Sequence, residues 1–374
     1  LVDLGTALFP LGEVRRALAV LDEALEAAQS AGEVALEWRA RLQRNYVFGQ
    51  LEPHALSIGD DLRTAERAIR ALEPLGDDRA LARAWVSVAQ DRFWLGKIES
   101  SLDASARAVE YARRAGDRRP EIEALRIRSM ALWSGPTPAA EAARGCEELL
   151  ATAPNKELAA HALRDLGGIR AMEGELEEAR RLVERSLAMY EELGLTFRVA
   201  WALITHSSQV HHLAGDLAAA EHDLRRALGL LEPIGEKSGR SVVSALLAYT
   251  LYEGGRYSEA ERWVEMGRRL AAVDDYAANA KLQSVRAKIL ARRGDVEGAK
   301  AAVDDAVRIV DATDDLDSRG DVWLDRAEVF RLVGEPKEAA SSLERAIGLF
   351  ERKGNVVLAA RARASLEPIL SARS

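Results

Sequence analysis

This sequence has few aromatic residues, almost no cysteine and no excess of positive charge. Phe, Trp and Tyr make up 5% of its 374 residues, and Cys146 is the only cysteine. A single cysteine excludes an internal disulfide and is typical of a reducing compartment, so we expect a cytoplasmic protein. Because the formal net charge is −8, we do not expect non-specific binding to nucleic acid or to an anionic membrane surface.

Long apolar runs and the common catalytic strings are also missing. No stretch is both long enough and apolar enough to span a bilayer. The phosphate-loop pattern Gly-x4-Gly-Lys-Ser/Thr does not occur, and no serine lies in a Gly-x-Ser-x-Gly turn. We therefore expect no cofactor, no membrane or nucleic-acid partner, and no enzymatic activity of this chain alone.

What the sequence does contain is a regular spacing of glycine and small residues. A glycine is followed five positions later by a small residue and seven positions after that by another, as at Gly174, Ala179 and Ser186. From Gly96 to Gly334 the intervals between these glycines are 39, 39, 41, 40, 39 and 40 residues. A fixed period of about 40 residues is typical of stacked-repeat proteins.

A second series of glycines and polar pairs lies about half a period from the first. Each member follows about twenty residues of helical character, where a left-handed glycine or a polar break ends a helix. Together the two series predict an all-α fold, a right-handed superhelix of about nine helix pairs. Each pair consists of a helix A, a tight turn, a helix B and a looser turn. The second series is Gly76, Gly116, Pro154-Asn155, Gly194, Gly235, Asp274-Asp275, Asp314-Asp315 and Gly354.

The whole chain, residues 1–374, is predicted to be one repeat domain with three irregular places. The glycine pattern slips near 51–60, where extra loop residues cost little. Two prolines predict a rigid turn at 134–138. The stretch 355–370 is predicted to be a lone helix that caps the open end of the repeat array, with Arg361, Arg363 and Glu367 on its polar face. Since the chain begins within a helical pattern at Leu1, we expect it to be a piece of a longer protein.

The small residues at spacings of seven, five and seven around each turn glycine resemble the tetratricopeptide repeat over essentially the whole chain. The strings at 134–150, 284–294 and 351–357 resemble the C-terminal repeat region of bacterial proteins that carry a class III adenylate/guanylate cyclase-like domain and an AAA-type ATPase. The long repeats are also similar to those of the MalT-type signal-transduction ATPases. This resemblance implies a cytoplasmic regulatory or sensory module.

The resemblance also implies which side chains face a ligand, because the A helices of tetratricopeptide-like superhelices line the concave groove. Charged and aromatic side chains in such a groove would hold an extended peptide through charge-assisted hydrogen bonds and ring contacts. The predicted binding residues are Arg126, Arg164, Asp165, His206, Gln209, Tyr249, Tyr252, Lys281, Lys288 and Asp325.

His206, His211 and His212 lie on one predicted helix and raise the question of a metal site. Ligands on one face of an α-helix are three or four residues apart, as in the His-Glu-x-x-His zinc motif. The spacings here are five and six residues, so we predict no metal site.

Two functions remain open. The first is a non-catalytic protein-interaction scaffold within a larger bacterial signalling or transcription-regulating protein. Its partner would be a protein or peptide segment, with the N-terminal domains of the same polypeptide and a second copy of the chain among the candidates. The alternative is a sensor that binds a metabolite or an oligosaccharide inside the superhelix. A sensor needs a closed pocket rich in aromatic residues, so the low aromatic content favours the scaffold.

Overall fold

The computed structural model describes residues 1–371, and these residues are helical with no β-strand. None of the helices in this range is both long and apolar enough to cross a membrane. We number 19 helices in the described range, of which α11 is a continuous run of three segments. Their bounds are α1 Val2–Leu8, α2 Val14–Ala31, α3 Val34–Leu51, α4 Ile58–Leu72, α5 Asp78–Trp94, α6 Ile98–Arg114, α7 Arg118–Ser134, α8 Ala139–Thr152, α9 Lys156–Met172, α10 Leu176–Glu192, α11 Thr196–Thr205 with His206–His211 and His212–Ala214, α12 Leu217–Leu231, α13 Ser238–Glu253, α14 Tyr257–Leu270, α15 Tyr276–Arg292, α16 Val296–Asp311, α17 Leu316–Leu332, α18 Pro336–Lys353 and α19 Val356–Ser371.

The described helices form nine A–B pairs, α1–α2 through α17–α18, and α19 follows as a single A helix. The glycines of both predicted series lie in left-handed turns, for example Gly174 with φ 87° and Gly194 with φ 67°. Such a conformation costs a glycine little, because it has no Cβ to clash with the backbone. Gly135 is the exception, since its φ is −78° in the proline-containing turn. The predicted all-α superhelix of about nine pairs is confirmed.

Small residues allow the helices of each pair to approach closely. Ala179 in α10 is fully buried, and a Cβ placed on Gly167 of α9 would lie 2.6 Å from the Cγ2 of Val183. The hydroxyl of Ser186 donates a hydrogen bond of 2.7 Å to the carbonyl of Ala160 on the facing helix. Helices pack this closely only where the contact residues carry little beyond Cβ, so the sequence period fixes the distance between helices.

The superhelix closes on itself, because loops of later repeats contact helices one superhelical turn earlier. The carboxylate of Asp314, before α17, accepts hydrogen bonds from the backbone N–H groups of Ile98 (2.7 Å) and Glu99 (2.9 Å) at the start of α6. Asp274, before α15, accepts from Gly59 at 2.8 Å at the start of α4. A carboxylate satisfies N–H groups that a helix N-terminus leaves unpaired and complements its dipole. These partners lie 215 or 216 residues apart in sequence, about five repeats of the 40-residue period.

Two cations make the matching contacts at helix C-termini. The Nζ of Lys353 donates to the carbonyls of Gly135 (2.8 Å) and Thr137 (2.9 Å) just after α7. The guanidinium of Arg361 donates to the carbonyl of Leu213 at 2.5 Å, near the end of α11. The last helix of the described chain therefore packs against an earlier turn of the superhelix through one of the polar residues that the sequence placed on its capping face.

Replacing Ala299 by leucine is expected to destabilise the fold by roughly 1–3 kcal/mol, since adding methylene groups to a packed core forces side chains out of their preferred rotamers. Ala299 is fully buried in α16. Ala301→Leu is the matched control, because Ala301 lies on the same helix with an exposed side chain, and its effect is expected to stay within about 0.5 kcal/mol. Denaturant unfolding measures both. Equal midpoints for the two variants would contradict the helix faces described above.

Candidate functional site

A cavity lies inside the superhelix, where the A helices from α3 to α19 face its axis. Its volume is about 260 Å³, and each lining residue lies on an A helix or directly before one. The A helices of successive repeats surround this concave surface, which remains partly open to solvent. The A-helix face is therefore the part of the molecule best shaped to hold a ligand.

Aromatic side chains are concentrated in this cavity, although they are scarce in the chain as a whole. The rings of Trp94 and Trp201 lie 5.4 Å apart and connect α5 with α11, and Phe197 lies 6.3 Å from Trp201. The average composition of the chain does not show this local enrichment. The low aromatic content is therefore weak evidence against an aromatic pocket. The eight aromatic residues of the lining are Tyr46, Phe93, Trp94, Trp133, Phe197, Trp201, Tyr249 and Tyr276.

A second cavity, of about 480 Å³, adjoins the first near the N-terminal repeats. The two cavities have several lining residues in common, so they form one elongated tract rather than two separate sites. Three of these common residues are basic or imidazole side chains. The common residues are Tyr46, Gln90, Arg126, His161 and Arg198.

Arg126 lies at the junction of the two cavities and differs from its basic neighbours. Its guanidinium donates to Oε1 of Gln90 at 2.8 Å and to the sulfur of Met130 at 3.4 Å, and it forms no ion pair within residues 1–371. Arg164, by contrast, lies 2.6 Å from Oδ1 of Asp165. Burial, together with the charge of Arg198, lowers the pKa of Arg126 to about 10. The charges of Glu123 and Glu157 oppose this shift, but neither carboxylate is hydrogen-bonded to Arg126, and a buried charge without a direct partner is costly.

The structure brings half of the predicted binding residues into the first cavity. The other five do not line it, and their side chains are engaged by neighbouring protein groups. Lys288 is an example: its Nζ lies 2.9 Å from Asp325 and 3.0 Å from Glu253, and its side chain is 1% exposed. The residues in the lining are Arg126, Arg164, Gln209, Tyr249 and Lys281, and those outside it are Asp165, His206, Tyr252, Lys288 and Asp325.

The position of His206 follows from a local change of helix type in α11. The segment His206–His211 is a π turn, in which residues five apart rather than four lie on the same face. The rings of His206 and His211 are 4.2 Å apart and both face Asp223 of α12. The spacing of five residues predicted that these two histidines lie on different faces of the helix. That prediction is wrong, because it assumed a regular α-helix. His212 points instead to the cavity, and its Nε2 lies 2.8 Å from Oγ1 of Thr250.

Sequence reasoning did not select Arg198, Trp201, Asp317 or Arg361 for the binding face, although all four line the cavity. Arg198 and Trp201 lie in the first turns of α11, about two turns and between one and two turns, respectively, before the first groove position that the resemblance supplied, His206. Arg361 lies on α19, which the sequence assigned only a capping role. A helical-wheel projection of α11 from Trp201 would have found the first pair, because Trp201, Thr205, Ser208 and His212 repeat at spacings of three and four.

Two buried carboxylates lie together in the second cavity. Asp61 accepts a hydrogen bond of 2.9 Å from Nδ2 of Asn45, while Oδ2 of Asp91 has no hydrogen-bond partner. Burial raises the pKa of Asp61 to about 6. Burial also raises the pKa of Asp91 well above its ordinary value, and the charges of Asp61 and Asp274 add to the effect. At least one of the two carboxyl groups therefore takes up a proton more readily than an exposed aspartate does.

No protein-family model and no curated protein sequence matches this chain. Solved structures share its fold. One is a Rap protein complexed with competence and sporulation factor, with a TM-score of 0.69 and 15% identity over 94% of this chain and 96% of that one. Another is the Rap conjugation gene regulator of plasmid pLS20 in complex with the Phr* peptide, with a TM-score of 0.61 and 14% identity over 95% and 98%. At this identity the similarity shows the fold, a tetratricopeptide-like helical repeat.

Asp91→Asn is expected to change how stability depends on pH. Because the pKa of Asp91 is raised in the folded state, the unfolded chain loses this proton first as pH rises from about 4, near the ordinary pKa of aspartate. The wild type therefore loses stability through this window, up to the raised pKa of the pair, and the asparagine variant does not. The difference in unfolding free energy between variant and wild type should grow as pH rises from 4 to 8.

The control for this prediction is Asp103→Asn, since Asp103 is exposed on α6. Its difference from the wild type should be flat over the same range of pH. Urea unfolding at several pH values measures both variants. A flat difference for Asp91→Asn as well would show that these carboxylates are hydrated rather than buried.

Proposed function

We propose that this chain is a regulatory scaffold that binds a short, extended peptide segment in the tract formed by the two cavities. The observation that carries the proposal is Arg126, a buried guanidinium without a carboxylate partner at the junction of the cavities. A carboxylate of the ligand would supply the missing charge, and an arginine fork can bind a carboxylate through two parallel hydrogen bonds.

The other polar groups of the lining suit the remaining parts of a peptide. Oδ1 of Asp317 accepts a hydrogen bond of 3.1 Å from Asn355, whereas its Oδ2 has no partner. Burial, opposed by the charge of Lys353, raises the pKa of Asp317 to about 7. Its free oxygen can accept a hydrogen bond from an amine or amide N–H of the ligand. Between the parts of the peptide that bind Arg126 and Asp317, the rings of Trp94, Trp201 and the other aromatic residues offer apolar surface for its side chains.

The structural neighbours support the same class of ligand. The Rap conjugation gene regulator of plasmid pLS20 was solved in complex with a peptide, Phr*, and it shares the repeat architecture over nearly its whole length. A concave surface of helical repeats presents many side chains at regular intervals, which suits a chain-like ligand. The same proposal includes the role in bacterial signalling that the sequence resemblance implies, with the cyclase and ATPase domains of a longer polypeptide as candidate partners and no ATP turnover by this chain.

A small-molecule sensor is the second candidate, and the aromatic enrichment of the first cavity favours it. The volume of that cavity is about 260 Å³, close to the lower limit of roughly 300 Å³ for small-molecule pockets. The extension into a second cavity favours an elongated ligand over a compact one. Competition between short peptides and metabolites for the same site would separate the two functions.

Arg126→Gln is expected to weaken binding of a peptide with a free carboxylate by at least about tenfold, because hydrogen bonds to charged groups contribute roughly 1.5–3 kcal/mol. The measurement is calorimetric titration with the tightest-binding member of a pool of short synthetic peptides. A version of that peptide with its carboxyl groups amidated should bind the wild type as weakly as the free peptide binds the variant. Added salt should lower the wild-type affinity less than it would lower an affinity that depends on exposed charges, because Arg126 is buried and buried pairs are screened less.

Arg181→Gln is the matched control, because Arg181 is an exposed residue of the B helix α10. It should bind the peptide with the affinity of the wild type. Equal affinities of the wild type and Arg126→Gln would contradict the proposed contact. Saturable binding of a neutral metabolite, with no peptide from the pool bound, would favour the sensor instead.

A further inference from the structure

Three polar side chains converge on one point between α11 and α12, on the side of α11 that faces away from the axial cavity. The Nδ1 of His206 lies 2.8 Å from Oδ2 of Asp223, and the Nε2 of His211 lies 3.4 Å from the same oxygen. One ligand atom from each of the three residues lies within 4.8 Å of the other two. The second ring nitrogens, Nε2 of His206 and Nδ1 of His211, are buried without a hydrogen-bond partner. The polar contacts of both rings are therefore directed at a single place.

The π turn is the element that creates this arrangement. In a regular α-helix, residues 206 and 211 would differ by about 140° around the axis, whereas a wider turn brings them onto one face. A π turn replaces the regular hydrogen bonds of a helix, and such turns are rare and frequent at functional sites. Here its consequence is to set two imidazoles beside one carboxylate.

We propose that His206, His211 and Asp223 form a binding site for a divalent transition-metal ion of the Zn²⁺ type. Zinc binds imidazole nitrogen at about 2.0–2.1 Å and carboxylate oxygen at about 2.0–2.2 Å. In a tetrahedral site such bonds place the ligand atoms roughly 3.3–3.5 Å apart. The separations from Oδ2 of Asp223, 2.8 and 3.4 Å, each lie within about half an ångström of that spacing.

The chemistry of the three ligands selects the class of metal. Two neutral imidazoles and a carboxylate suit Zn²⁺, Ni²⁺, Co²⁺ or Fe²⁺, whereas Mg²⁺ and Ca²⁺ prefer sites built from oxygen atoms. Three protein ligands leave one position of a tetrahedral ion for water. The three residues are 6%, 7% and 8% exposed, so the site is mostly buried but retains a narrow access to solvent. This site is independent of the peptide tract, which α11 faces through Gln209 and His212.

The test uses the full chain after removal of bound metal with a chelator. Titration with Zn²⁺ is expected to show one equivalent bound, and Co²⁺ is expected to give the visible absorption bands of a low-coordinate site. Mg²⁺ and Ca²⁺ should show no saturable binding. His211→Gln and Asp223→Asn are each expected to weaken Zn²⁺ binding by at least about tenfold, since loss of an outer-sphere partner alone costs 10- to 100-fold.

His222→Gln is the matched control, because His222 is exposed on α12 beside Asp223 and outside the cluster. It should bind Zn²⁺ as the wild type does. No saturable Zn²⁺ binding by the wild type, or unchanged affinity in His211→Gln, would overturn the proposal. If the two ligand variants lose their helical circular-dichroism signal, the X-ray absorption spectrum of the zinc-loaded wild type decides. Scattering from two imidazoles supports the site, and its absence contradicts it.

Discussion

The close approach of paired helices at small residues is the constraint on which the rest of this structure depends. Residues such as Ala179 and Gly167 bring helices A and B together at the same point of each repeat. Because the repeat length stays close to 40 residues, each pair is displaced from the last by a similar step and curvature accumulates regularly. The superhelix consequently returns to itself after about five repeats, where Asp314 meets the start of α6.

Closure explains both the ionic contacts between turns and the position of the two cavities along the superhelix. The neighbouring residues Asp314 and Asp315 make different contacts. Asp314 accepts from the N-terminus of a helix one superhelical turn away, while Asp315 caps its own helix by accepting from the N–H of Ser318. Once the turns are joined, the A helices surround the two cavities. The guanidinium of Arg126 is buried there without an ion pair, and in the proposed function a carboxylate of the ligand supplies that partner.

The repeat period predicted the helix pairs and their turns because these depend on local spacing and on glycine conformation. The direction in which an individual side chain points was harder to predict from the sequence. His206 was placed on the groove by assuming regular α-helical geometry, whereas the π turn directs it to Asp223. Lys288 was expected in the groove and is buried among carboxylates of neighbouring A helices. The contacts of Asp274 and Asp314 depend on the pitch of the whole superhelix, which no local pattern in the sequence encodes.

We propose that the concave face of the A helices, and Arg126 in particular, holds the ligand. The most direct test is a crystal structure of the chain with its tightest-binding short peptide. We expect the peptide to extend through both cavities, with a carboxylate within about 3 Å of the Arg126 guanidinium, as in a charge-assisted hydrogen bond. A peptide bound on the B helices, or one whose carboxylates all face solvent, would contradict the account.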